Sequence, residues 1–143
     1  MEEIRSRFRD DHARLGALLE QLGSAATPGD ELGLLALWAV FERSVRAHIQ
    51  LEERAVLPAL EASHPAECRQ ARYEHDRLRD LISDLAALAK SGGMLRQALD
   101  QLETALAMHA EWEEATLYAL ADARLGAAAR QRILEALGSR ARD

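Results

Sequence analysis

Apolar residues recur every three or four positions along four long stretches of the chain, the spacing typical of helices that bury one face. The positions on these faces are Ile4, Phe8, His12, Leu15, Leu19 and Leu22; Leu34, Trp38, Phe41, Val45, His48, Glu52 and Val56; Cys68, Ala71, His75, Leu78, Ile82 and Leu85; and Leu95, Leu99, Leu102, Leu106, His109, Glu113, Thr116 and Leu120. Turn-forming residues separate the stretches at 23–29, 63–65 and 91–93, and a weaker break lies at Gly126. The pattern predicts an all-α chain.

The short breaks also predict how the helices are arranged. Long helices joined by short loops pack as antiparallel neighbours, which predicts an up-down-up-down four-helix bundle with a short C-terminal helix. We expect the core bundle at about residues 2–121, the short helix at about residues 127–137 packed on the outside, and a single domain over 1–143. Pro58, near the end of the second helix, should kink or terminate that helix.

The two halves of the chain repeat each other. The segment around Asp11-His12 aligns with Glu74-His75 at an offset of 63 residues. The segment His48-x-x-x-Glu52-Glu53 aligns with His109-x-x-x-Glu113-Glu114 at an offset of 61 residues. Such a repeat predicts two helical hairpins related by a pseudo-twofold axis.

Six polar residues occupy positions on the predicted core faces: His12, His48, Glu52, His75, His109 and Glu113. Burial of an ionised carboxylate costs several kcal/mol unless it is paired or bound to a cation. A lone core histidine is usually a hydrogen-bonded packing residue, and a lone HxxxE is usually an exposed ion pair. Those ordinary interpretations do not account for six such residues in a repeated arrangement on four helices, whereas a metal cluster does.

The spacing of these residues suits a pair of metal ions. The histidine and glutamate of each HxxxE motif lie one turn apart on one helix face, and the other two helices add one histidine each. Two carboxylates among six ligands can bridge two metals. Nitrogen and oxygen ligands without a thiolate favour iron, with manganese and zinc as less favoured alternatives.

These motifs resemble the hemerythrin-like (HHE cation-binding) family over about residues 8–120. The matching pieces are Asp11-His12, His48-x-x-x-Glu52-Glu53 followed by Leu57-Pro58, Glu74-His75-Asp76, and His109-x-x-x-Glu113-Glu114. Ferritin-like bundles, the nearest rival, use Glu-x-x-His on two helices and lone glutamates on the other two. Here histidine precedes glutamate by four residues, and the lone residues are histidines.

The resemblance implies two non-haem iron ions with a carboxylate-bridged and oxo- or hydroxo-bridged core. His12 and His48 would bind one iron and His75 and His109 the other, with Glu52 and Glu113 as the bridges. Oxygen-carrying members have one more histidine, at the position of Ala71, and Phe8 holds the equivalent place in the first half. The alanine argues against reversible oxygen carriage, and we expect the iron near Ala71 to be the more accessible one.

The resemblance implies a protein that binds or reacts with a small ligand, namely oxygen, nitric oxide or peroxide. The alternatives are an iron donor or store for iron-centre repair, and a di-iron oxidoreductase that reduces peroxide or nitric oxide. Whether the protein is an enzyme stays open at this stage. Asp11, Glu53, Glu74 and Glu114, which adjoin the six residues, are either partners of the ligands or solvated helix positions.

Charge and composition restrict the partners. The net charge of −6 without a basic cluster argues against nucleic acid, and the longest apolar run, residues 34–41, is too short to span a membrane. The charged N-terminal residues do not resemble a signal peptide. The lone Cys68 favours a reducing cytoplasm, with a buried, inert thiol. The outer helix faces would allow a homodimer, although nothing in the sequence specifies one.

Overall fold

The computed structural model describes residues 3–25, 31–91 and 96–141, and these residues form helices joined by short connections. The helices are α1 (Ile4–Ala25), α2 (Glu31–Leu51), α3 (Leu57–Leu60), α4 (Pro65–Lys90), α5 (Arg96–Trp112), α6 (Tyr118–Arg124) and α7 (Ala127–Ala141). No strand occurs in these ranges, which confirms the all-α prediction for the described residues. Leu95 and most of the predicted breaks at 23–29 and 91–93 lie outside them.

Two π-helical segments join pairs of these helices. Glu52–Val56 connects α2 to α3, and Glu113–Leu117 connects α5 to α6, without interruption of the helical path. In each segment a backbone N–H, of Leu57 or Tyr118, donates to the carbonyl oxygen five residues earlier. Each wider turn therefore contains one residue more than an α-helical turn would.

The extra residue changes which side chains face the core beyond each segment. Thr116 and Leu120, predicted on the core face, are only half-buried, whereas Leu117, Tyr118 and Ala121 are fully buried. The prediction was wrong here because it continued the α-helical period through Glu113. Pro58 was expected to kink or end its helix; the backbone stays helical through Pro58, and the helix ends two residues later, at Leu60. Ala119 takes the equivalent place in the second half, so a proline is not required for the π-helical turn.

The four long helices pack in a ring around two apolar clusters. Helix α1 contacts α2 and α5, and α4 contacts the same two helices. One cluster contains Leu15, Val45, Leu78 and Leu106, and the other contains Phe8, Val56, Ala71 and Leu117. On every long helix the metal-ligand candidates lie between the two clusters, so the polar residues form a layer across the middle of the core.

Helix α7 closes the end of the bundle where the chain starts. It contacts α1 and the first π-helical segment, and it buries Ile133 and Leu137. This helix was predicted at about 127–137 and extends to residue 141. The carboxylate of Asp122 accepts hydrogen bonds from the backbone N–H groups of Ile4 (2.8 Å) and Arg5 (3.1 Å) and from Arg130 (2.9 Å). A residue of α6 thus caps the first turn of α1 and ties it to α7.

None of the described helices combines the length and the apolar character that a transmembrane span requires.

Candidate metal centre

Two overlapping groups of side chains place their nitrogen and oxygen atoms close enough together to hold metal ions. One group is His12, His48, Glu52 and Glu113, and the other is His75, His109, Glu52 and Glu113. Within each group the ligand atoms lie within 4.8 Å of one another. Both glutamates belong to both groups and are completely buried. The structure therefore brings all six predicted residues together in the two sets that the resemblance implies.

The Nε2 atoms of all four histidines point inward at the two glutamates. His48 Nε2 lies 2.5 Å from Glu52 Oε1, and His75 Nε2 lies 3.0 Å from Glu52 Oε2. Around Glu113, Oε1 lies 3.2 Å from His12 Nε2 and 3.0 Å from His109 Nε2. Nε2 of His12 and Nε2 of His48 are only 3.1 Å apart. These separations are those of atoms that share one ion, since ligands at about 2.1 Å and at right angles are about 3 Å apart.

The Nδ1 atoms of the same histidines face outward, each towards another carboxylate. Nδ1 of His48 donates to Asp11 (2.5 Å), Nδ1 of His75 to Glu53 (2.9 Å), and Nδ1 of His109 to Glu74 (2.7 Å). Nδ1 of His12 lies 3.7 Å from Glu114 Oε1. An ionised carboxylate can only accept, so each hydrogen-bonded Nδ1 carries a proton and leaves Nε2 free to bind a metal. Of the four carboxylates that the sequence left ambiguous, Asp11, Glu53 and Glu74 are thus hydrogen-bond partners of histidines, and Glu114 lies near His12 without a hydrogen bond.

The two halves differ in how firmly these carboxylates are held. Arg79 forms a close two-atom contact with Glu53 and also donates to Asp76. In the first half the residue equivalent to Arg79 is Gly16. Arg9 instead approaches Glu114, at 3.5 Å. His75 therefore has the more rigid support and His12 the looser one.

Tyr118 is a residue of the site that the sequence analysis missed. Its hydroxyl oxygen lies 2.5 Å from Glu52 Oε1, 2.9 Å from Glu113 Oε1 and 3.3 Å from His12 Nε2. In an α-helix a side chain five residues after Glu113 would point about 140° away from it. The π-helical turn takes up one of these residues, reduces the offset to about 40° and directs Tyr118 into the site. The repeat gave no signal for it, because the residue that aligns with Tyr118 in the first half is Leu57.

The buried charges interact strongly without a metal. Burial alone would lower the pKa of His75, but hydrogen bonds and charge from Glu113 and Glu52 raise it to about 10. The pKa values of His48 and His109 are also raised, because the charges of Glu52 and Glu113 outweigh burial. Burial acts against ionisation of Glu113, yet its hydrogen bond with Glu52 and the charge of His109 hold its pKa well below the usual range. Burial and the two glutamates raise the pKa of Tyr118.

Hydrogen bonds within the described residues leave several of these atoms unsatisfied. His109 Nε2, Glu113 Oε2 and His12 Nδ1 are buried without a hydrogen-bond partner there, although His109 Nε2 lies close to a carboxylate oxygen. Buried polar atoms are normally satisfied, so a buried imidazole nitrogen and a carboxylate oxygen that point into one cluster indicate a missing electrophile. A metal cation fits this donor set, because it binds both atom types and neutralises the carboxylates.

The other residues with possible chemistry lie away from the cluster. His64 directly precedes α4 and contacts Ser63 at the surface turn. Cys68 is buried, and its thiol donates weakly to the carbonyl of Leu57 (3.6 Å).

Phe8 and Ala71 are both completely buried, so exposure does not distinguish the two sides of the site. A cavity of about 730 Å³ between α4 and α5 opens beside exposed Tyr73 and reaches His109 and Glu74.

The fold and the site define a helical-bundle protein whose core carries a histidine and carboxylate cluster suited to metal ions. Comparison with known families identifies it further, because the family model described as Hemerythrin HHE cation binding domain matches residues 3–121 and, separately, 72–141. The chain belongs to this family, which confirms the resemblance read from its motifs. No curated protein and no solved structure gives a significant match.

Proposed function

We propose that this protein holds two iron ions in its polar layer and binds or reacts with a small ligand, namely oxygen, nitric oxide or peroxide. His12 and His48 would bind one iron, His75 and His109 the other, and Glu52 and Glu113 both. Iron in such a site supplies redox chemistry and open coordination positions for a small molecule.

One observation carries the proposal for two ions rather than one. All four histidines turn Nε2 towards the same two buried glutamates, while the Nδ1 atoms face four further carboxylates. The two oxygens of Glu52 face different histidines, Oε1 facing His48 and Oε2 facing His75, whereas Oε1 of Glu113 lies near both His12 and His109. The four inward nitrogens and the two shared carboxylates thus form two overlapping groups of four residues, which supports two ions. The combination of imidazole and carboxylate ligands without a thiolate favours iron, with manganese and zinc as less favoured alternatives.

The chain's own residues prepare the site before a ligand arrives. The outer carboxylates fix the imidazole tautomer and orientation, and apolar clusters on both sides of the layer exclude bulk water. The cavity beside His109 brings solvent close to one side of the cluster. No feature of the described residues selects an organic substrate, which is the reason for the proposal of a diatomic or peroxide ligand.

The proposal includes an up-down-up-down arrangement of the four long helices. Helices α1 and α4 begin in the cluster around Val56 and end in the cluster around Val45, whereas α2 and α5 pass through them in the opposite order. This alternation supports antiparallel neighbours. It would also let each hairpin contribute one lone histidine and one HxxxE motif to the same layer.

Anaerobic loading with Fe(II), followed by metal analysis and absorption spectroscopy with each ligand, tests the proposal. We expect two irons per chain and a spectrum that changes with oxygen, nitric oxide or peroxide. The double variant E52A/E113A should bind neither iron, whereas the surface variant H64A should bind both. One iron or none per wild-type chain would contradict the di-iron proposal.

The same preparation separates the alternative functions. Catalytic turnover of peroxide or nitric oxide would favour the oxidoreductase, and rapid loss of iron to a mild chelator would favour a donor or store. A stable ligand adduct without turnover and with firmly held iron would favour binding.

A further inference from the structure

We infer that the hydroxyl oxygen of Tyr118 is a further protein ligand of the metal ion held by His12 and His48, so that the two metal positions are unequal. This inference rests on the proposed di-iron function and adds a residue and an asymmetry to it. It predicts five protein ligands on the His12 and His48 side and four on the His75 and His109 side.

The position of the oxygen atom is the first argument. It lies within 3.3 Å of three atoms that belong to the first group, namely Glu52 Oε1, Glu113 Oε1 and His12 Nε2. The nitrogens of His12 and His48 in that group are themselves 3.1 Å apart. The separations of the Tyr118 oxygen from these atoms are thus similar to those within the group, such as 2.5 Å between His48 and Glu52 and 3.2 Å between His12 and Glu113. Atoms that share one metal ion have this spacing.

The count of protons is the second argument. A phenol has one proton and can donate it to one acceptor at a time. Its oxygen is nevertheless close to two carboxylate oxygens, at 2.5 Å and 2.9 Å. One of these contacts therefore joins two electron-rich oxygens with no proton from the phenol between them. A cation shared by all three oxygens removes this repulsion, and on coordination the phenol proton leaves to solvent.

The surroundings of Tyr118 are the third argument, because they fix the ring in this direction. The ring stacks on Phe8, with centroids 4.4 Å apart and planes 13° from parallel, and the side chain is fully buried. The π-helical turn after Glu113 sets its backbone in place. The packed ring therefore cannot easily rotate to direct its hydroxyl towards water.

The first half of the chain has no equivalent oxygen. The residue that aligns with Tyr118 is Leu57, which is completely buried in an apolar cluster and has no ligand atom. The metal held by His75 and His109 would therefore keep one more open position. A small ligand would bind there and not at the metal beside Tyr118.

The test compares Tyr118→Phe with Tyr73→Phe, since Tyr73 is the other tyrosine of the chain and is exposed. In the ferric, iron-loaded protein we expect an intense visible phenolate-to-iron charge-transfer band in the wild type and in Y73F, and its loss in Y118F. Y118F should also bind one of its two irons at least about tenfold more weakly. Loss of a residue that only supports a metal ligand already costs about 10- to 100-fold in affinity, and loss of a ligand should cost no less.

Resonance Raman spectroscopy of the wild type keeps the inference testable if Y118F does not fold. Excitation in the band should enhance tyrosinate ring vibrations. Their absence, or an unchanged spectrum in a folded Y118F that binds two irons, would overturn the ligand assignment and leave the proposed function intact. A wild-type chain that binds fewer than two irons would instead overturn the proposed function.

Discussion

Nδ1 of His48 donates a hydrogen bond to the carboxylate of Asp11, 2.5 Å away, although the chain neighbour of Asp11 is His12, another histidine of the cluster. The contact crosses from α1 to α2. Its equivalent in the second half joins Glu74 of α4 to His109 of α5. In both halves of the chain the residue before the lone histidine therefore supports the histidine of the HxxxE motif, and this support fixes which nitrogen faces the two buried glutamates.

Replacement of Asp11 by Asn should weaken binding of the metal at His12 and His48. The amide can present an NH₂ group or an uncharged oxygen to Nδ1, so His48 loses its charged acceptor and becomes a poorer ligand. We expect a loss of about 10- to 100-fold in affinity for one of the two ions, measured by competition with a chelator. The neighbouring exposed residue gives the control, and D10N should bind as the wild type does. Equal affinities of D11N and D10N would show that the contact does not support the metal.

The unequal support of His75 and His12 predicts unequal effects of two matched variants. Glu53 lies 2.9 Å from His75 Nδ1 and is held by Arg79, whereas Glu114 lies 3.7 Å from His12 Nδ1. E53Q should therefore lower the affinity for one ion more than E114Q does, within the range of about 10- to 100-fold. Metal titration of both variants in the same buffer measures the difference. A larger effect of E114Q would contradict the order inferred from the distances.

Removal of the metal should destabilise the fold. The completely buried Glu52 and Glu113 then have only the histidines to balance their charge. A ligand present at about 1,000 times its dissociation constant adds about 4 kcal/mol, and for a chain of this size this corresponds to a rise in Tm of roughly 10 °C or more. Circular dichroism melts of the metal-free and iron-loaded protein measure the shift. E52A/E113A should show no metal-dependent shift, and equal Tm values for the two wild-type forms would refute this prediction.

Stability of the metal-free protein should fall as the pH rises above neutrality. The folded pKa of His75 is about 10, above the ordinary value of about 6.5 in an unfolded chain. Protonated His75 therefore stabilises the fold fully below about pH 6.5, and the contribution is lost as the pH rises through about 10. The loss is at most about 1.4 kcal/mol per pH unit for each such histidine.

Urea unfolding of the metal-free chain between pH 7 and 9 measures this slope. H75Q should have a smaller slope than the wild type, and the surface variant H64Q should keep the wild-type slope. Metal-loaded protein should not lose stability over this range, because metal binding requires unprotonated Nε2 atoms. A metal-free chain that becomes more stable with rising pH would contradict the assignment.

Cys68 should be almost unreactive in the native protein. Burial raises the pKa of its thiol to about 11, so the reactive thiolate is rare at neutral pH. We expect modification by a thiol reagent to be at least about 100-fold slower in the native state than in urea. Time courses of thiol labelling measure the ratio. Rapid native labelling would indicate a reactive thiol and would contradict the prediction of an inert core residue.

The sequence predicted the helices and the six cluster residues because both depend on local spacing. His12, His75 and the two HxxxE motifs lie on core faces that a helical period identifies. The partner of each histidine could not be predicted in the same way. Asp11 serves His48 and Glu53 serves His75, and those pairs depend on the rotation of neighbouring helices.

Tyr118 could not be predicted because a single extra residue changes the period after Glu113. Counting at α-helical spacing selected Thr116 and Leu120 for the core face. The π-helical turn instead buries Leu117 and Tyr118. Whether a helix widens at one turn depends on the packing of the whole site, which the local pattern does not contain.

The two π-helical segments have a consequence for the symmetry of the site. Glu52–Val56 and Glu113–Leu117 begin at the same residue of the repeat and have the same length. Each half therefore carries its extra residue at the same point, so the wide turns preserve the repeat. The halves differ instead in single side chains, since Leu57 aligns with Tyr118, Gly16 with Arg79 and Phe8 with Ala71. A repeated backbone with unequal side chains would give a bound pair of metal ions two chemically distinct positions.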